Sequence, residues 1–180
     1  MQKGECIMNE EMVWSKTILT VYRYLERVSN AIDKIVRRSG LSSGNIYGQN
    51  YLRNNVLSIS QKMIDLSERK VTLINLKVLT DEIFTKMKKE DACLLIERYI
   101  DGKKVKDIAL KHNFSIRTAF RKIEIGEIFF TKALSSRGFV PAKLEKQLSG
   151  EKWILRAYEH IKSKREDVSP APFLANAVSM

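Results

Sequence analysis

Between Glu11 and Arg38 the apolar residues Ile18, Val21, Leu25, Val28, Ile32 and Ile35 recur at alternating steps of three and four. That period keeps one side of an α-helix apolar and the rest polar, so the stretch reads as a long helix with one narrow seam, about 40 Å from end to end. Tyr22 and Tyr24 flank the seam. Residues 1–10 lack the period and read as a flexible arm. Gly40, Gly44 and Gly48, interleaved with serines, break the helix. A second periodic run starts near Asn50 and continues towards Met87. In it Leu57, Ile64, Val71 and Val78 fall on every seventh position, while Val56, Ile59, Met63, Leu66 and Leu73 widen the stripe on one side. Two such helices joined by a short break predict an antiparallel hairpin over residues 11–88. The second stripe is wider than one partner helix covers, and the leftover apolar surface points to a homodimer.

The pattern changes at residue 89. Leu94, Leu95, Ile96, Tyr99 and Ile100 make a short apolar helix that ends at Asp101-Gly102, where glycine accepts the left-handed conformation of a helix end. A second short helix, Val105 to His112, turns Val105, Ile108 and Ala109 inward. Asn113, Phe114 and Ser115 come next as a tight turn: asparagine tolerates positive φ, phenylalanine plugs the turn into the core, and serine caps the next helix. On that third helix, residues 115–134, Ala119, Ile123, Gly126, Phe130 and Ala133 form the inward stripe, with Ile116 and Phe120 along its edge. Gly126 on the buried side implies a close approach of backbones. The outer face of the first two turns carries Arg117, Thr118, Arg121 and Lys122. Further along that face come Ile125, Ile128 and Phe129, which need a cover. The segment Lys143 to Lys164, with Leu144, Leu148, Trp153, Ile154, Tyr158 and Ile161, is the nearest candidate. The fold class is therefore all-α: a long N-terminal helical hairpin, a trihelical helix-turn-helix unit at 89–138 and a C-terminal helical segment at 139–165, succeeded by a flexible tail at 166–180.

Charge adds to this picture. The net charge is +11, and residues 101–165 hold 16 Lys and Arg against 7 Asp and Glu, so the excess sits with the helix-turn-helix and the C-terminal segment. A chain this basic is drawn to polyanions before any specific contact forms. Lys103, Lys104 and Lys106 are candidate phosphate contacts on that ground. Cys6 and Cys93 read as reduced thiols, Cys93 near the apolar side of its helix. No run approaches the length of a membrane span and no signal-peptide layout is present, which predicts a cytoplasmic protein without membrane contact. His112 and His160 stand at no metal-ligand spacing from a cysteine or from each other. Phosphate loops, nucleophile elbows and dinucleotide fingerprints are missing. Neither enzyme activity nor a metal or cofactor is expected.

The string LIERYIDGKKVKDIALKHNFSIRTAFRKIE, residues 95–124, resembles region 4 of the sigma-70 family, and more closely the sigma-region-4-like regulators of Gram-positive phages and prophages, of which the ArpU type is one. The RYIDG end of its first helix, the DIA of its second and the S-x-R-T opening of its third carry the likeness. The resemblance implies a recognition helix in the major groove of double-stranded DNA, with Ser115, Arg117, Thr118 and Arg121 on bases and phosphates; whether RNA polymerase is also contacted is left open by the sequence. It implies a transcriptional regulator that does not open promoters alone, since nothing before Met87 resembles the promoter-melting region. A phage assembly or packaging subunit, touching DNA secondarily, is the alternative.

Overall fold

The seam of the first helix is buried much as its spacing predicts. In the computed structural model, which describes the backbone of residues 2–42 and 49–166 and the side chains of residues 10–38 and 57–164, helix α1 spans Gln2–Ser42. Ile18, Val21, Leu25 and Ile32 are buried along it, Val28 packs against them, and only Ile35 is left half exposed. The helix begins at Gln2, so the first residues are not the arm that their lack of period predicts. The glycine-rich break at 43–48 and the tail from 167 lie outside the described residues.

Helix α2, Gln49–Lys86, runs antiparallel to α1. Tyr22 donates a short hydrogen bond to Asp81, Lys77 pairs with Glu26 at 3.8 Å and Lys70 with Asp33 at 2.7 Å, so each step up α1 matches an equal step down α2. Burial, the Asp81 hydrogen bond and the nearby carboxylates push the Tyr22 phenol up to about 12. Which side of α2 faces inward differs from the expectation drawn from spacing. Leu66, Leu73, Leu76, Leu79, Ile83 and Met87 meet the core, whereas the seventh-residue series Leu57, Ile64, Val71 and Val78 faces outward at 49–68% exposure. The helix has two apolar stripes on nearly opposite sides, and α1 can cover only one. Its leucine-rich stripe offers more area to bury and takes the inner side.

Among the described residues five further helices follow: α3 Lys89–Leu95, which continues as a wide turn Ile96–Ile100; α4 Val105–Lys111; α5 Ile116–Ser136; α6 Pro141–Leu148; and α7 Lys152–Glu166. The fold is all-α, and among the described residues no helix is long and apolar enough to cross a membrane. Helices α5, α6 and α7 all pack on α1, and this explains burial that the narrow seam did not predict: Trp14, Ser15, Thr17 and Leu19 are enclosed as well. The two hydroxyls are tolerated there because each donates to the carbonyl one turn back, Ser15 to Glu11 and Thr17 to Val13, both at 2.8 Å.

The C-terminal segment folds back, but onto α1. Leu144, Leu148 and Ile154 are buried, and Tyr158 stacks on Trp14 with ring centroids 4.4 Å apart. At the α6–α7 corner the buried Glu151 accepts from Nε and Nη2 of Arg69, at 2.7 and 3.1 Å, and from the Trp153 indole N–H at 2.9 Å, which ties the corner to α2. Burial alone would raise that carboxyl, but those hydrogen bonds and the Arg69 charge hold it below the usual range. The outer face of α5 is not sealed by this packing: Ile125 stays 50% and Phe129 42% exposed. One hydrophobic cluster takes side chains from all seven helices.

Candidate functional site

The basic surface singled out in the sequence sits on α3, α4 and α5, which are joined by two turns of special backbone geometry. Gly102 ends the first with φ 71°, and Asn113 bends the second with φ 54°, the positive values expected at both positions. Phe114 closes the second turn, its N–H donating 2.8 Å to the Ala109 carbonyl, and its ring packs against the core. Ser115 caps α5 by accepting from the Thr118 N–H at 3.1 Å and pairs with the Thr118 hydroxyl at 2.8 Å. Ala109 and Ala119 are buried where α4 and α5 pack. Gly126 lets α5 approach α3: a Cβ there would stand 3.2 Å from the Leu95 side chain.

A buried carboxylate, unforeseen in the sequence, holds this unit together. After Leu95 the backbone widens, the Asp101 N–H reaching five residues back to the Ile96 carbonyl at 2.9 Å. Glu97, in that widened turn, is 3% exposed. Its Oε1 accepts from Lys103 at 3.1 Å and from Lys111 in a short contact, and its Oε2 lies 2.9 Å from His112 Nε2. Burial opposes ionisation, yet hydrogen bonds from Lys111, His112 and Lys103, with the Lys103 charge, bring the carboxyl down to about 2. The end of α3, the loop after it and the end of α4 therefore meet on one anion. A second buried acid, Glu127 on α5, pairs with Lys16 of α1 at 2.9 Å and accepts from the Tyr99 hydroxyl. The recognition-helix candidate is thus fixed to α1 and α3 together.

The predicted site residues divide by what they touch. Arg117 and Arg121 are exposed on the first two turns of α5, and neither has an ion pair among the described residues. Ser115 and Thr118 are exposed beside them but also serve the cap. Lys104 and Lys106 are exposed at the start of α4. Lys122 is engaged, bound to Glu90 at 2.8 Å with its ammonium 4.9 Å from the Phe114 ring. Lys103, expected as a phosphate contact, pairs with Glu97 at 3.1 Å. Ile116 and Phe120, expected at the edge of the buried stripe, are 50% and 57% exposed, so the tip of α5 offers apolar as well as cationic groups. Cys93 is exposed, away from the apolar side where its spacing put it.

Set against known proteins, the chain matches no family model, no curated protein and no solved structure.

Proposed function

We propose that this protein is a sequence-specific DNA-binding regulator of transcription whose α5 reads the major groove in the manner of sigma-70 region 4. The observation that carries the reading is the pair Arg117 and Arg121: one helical turn apart, exposed near the capped start of a helix that a tight turn and buried carboxylates hold in place, and without an ion pair among the described residues. Arginine forks in that position make bidentate contacts to guanine, each worth about 1 to 3 kcal/mol of discrimination. Exposed Phe120 and Ile116 supply apolar contacts of the kind that thymine methyl groups accept. Lys104 and Lys106 are the phosphate contacts. Ile125 and Phe129, further along α5, suit a protein partner, and RNA polymerase is the one that the sigma-like reading supplies.

The outer stripe of α2 favours a second reading, a subunit of a phage assembly or packaging complex. Self-association is common to both readings. Selection of bound sequences from a random duplex pool at two salt concentrations separates them. A regulator enriches a defined site and keeps its preference at the higher salt, whereas an assembly subunit enriches nothing and loses affinity for every duplex alike.

A further inference from the structure

We propose that Cys93, Glu97 and His112 form a binding site for a divalent cation of the zinc type, which clamps α3 to the end of α4. The Cys93 Sγ, a Glu97 carboxylate oxygen and a His112 ring nitrogen all lie within 4.8 Å of one another. Bonds of about 2.0 to 2.3 Å in a tetrahedron set donors roughly 3.3 to 3.6 Å apart. Cys93 and Glu97 are four residues apart and so share one side of α3, while His112 directly succeeds α4. In the sequence His112 is 15 residues from Glu97. No linear motif joins the three; the fold does.

The surroundings suit a soft-to-borderline ion. Cys93 is exposed, which gives solvent and ion access, while Glu97 is buried beneath it. Lys103 and Lys111 occupy Oε1 of Glu97, so Oε2 is the oxygen left for an ion once His112 Nε2 turns from it to the metal. The lysines then act as outer hydrogen-bond donors that orient the ligand. Their charges favour the thiolate that zinc prefers, and a sulfur, a nitrogen and one oxygen do not suit Mg²⁺, which takes oxygen ligands in octahedral geometry. The His112 ring is oriented by stacking on Phe114, centroids 5.7 Å apart and planes at 16°. Binding balances simply: the Cys93 thiol gives one proton to solvent, the sulfur lone pair goes to the ion, and His112 binds as the neutral tautomer with its proton on Nδ1. Three protein ligands leave the fourth position to water.

Metal binding at these three residues is independent of whether α5 reads DNA. Co²⁺ titration of the full chain tests it, through thiolate-to-cobalt absorption and the visible bands of a tetrahedral ion, with subsequent displacement by Zn²⁺. One equivalent per chain is expected, with absorption lost in Cys93→Ser and weakened at least tenfold in affinity in His112→Ala, but retained in Cys6→Ser. Zn²⁺ should raise Tm by a few degrees in the unsubstituted protein and not in Cys93→Ser, which changes an exposed side chain and should fold normally by circular dichroism. Absence of the cobalt bands, their survival in Cys93→Ser, their loss in Cys6→Ser, or an equal effect of Mg²⁺ on Tm would each overturn the proposal.

Discussion

Glu97 and Asn113 mark the two extremes of what single residues disclose. Asn113 was legible because the turn's demand for positive φ is local, and the angle of 54° arises from neighbours in sequence. Gly102 and Gly126 were legible for the same reason, one from a helix end and one from its place on a buried stripe. Glu97 was hidden: an acid inside a short apolar helix reads like any solvated position, and its partners lie 6, 14 and 15 residues downstream. Because the Glu97 carboxyl lies at about 2 when folded, against an ordinary 4.5, it stabilises the fold fully above pH 4.5 and loses that contribution as pH falls towards 2. Glu97→Gln should cost roughly 1.5 to 3 kcal/mol at neutral pH, because a neutral amide oxygen accepts from the lysines more weakly than the carboxylate and its NH2 offers no acceptor to His112. Urea titrations in the presence of a chelator, repeated from pH 6 to pH 2.5, should show a shallower acid loss in this variant than in the parent. Parallel curves would mean that the cluster does not couple to folding.

At the scale of elements, helix existence and direction were readable and the facing of α2 was not. Periodicity identifies an apolar stripe but cannot rank two stripes on one helix; that choice depends on the leucines that α1 and the rest of the core meet. Substitutions separate the two sides. Leu73, fully buried, should cost about 2 to 5 kcal/mol on change to alanine. Ile64→Lys and Val71→Lys on the outer stripe, at 51% and 55% exposure, should leave urea midpoints nearly unchanged. If the outer stripe joins two copies, these lysine variants should shift light-scattering mass from dimer to monomer at micromolar concentration. A parent protein that is monomeric in the same measurement rules the dimer out. The seventh-residue spacing from Leu57 to Val78 covers about 32 Å of helix, enough length for a second helix to lie against.

For the whole molecule, the arrangement turns on α1, against which α2, α5, α6 and α7 pack. That role was beyond the sequence because contacts such as Trp14 with Tyr158 or Lys16 with Glu127 join positions more than a hundred residues apart, with no local pattern to announce them. The fold-back of the C-terminal segment was foreseeable from its unpartnered apolar residues; its destination was not. The concentration of positive charge after residue 100 was plain from counting, and the structure divides it into cations held by carboxylates and cations left at the surface. Lys104→Ala with Lys106→Ala should weaken binding to all duplexes alike and lower the salt slope by roughly one to two, about one for each phosphate no longer neutralised. Competition decides whether α5 reads sequence through its exposed arginines. The affinity of the parent, Arg117→Ala and Arg121→Ala proteins is compared on the selected duplex and on a scrambled duplex at one salt concentration. Each variant should keep its fold and its affinity for the scrambled duplex within a few fold, and lose most of the preference for the selected one. Variants that retain the parent's preference would contradict that role.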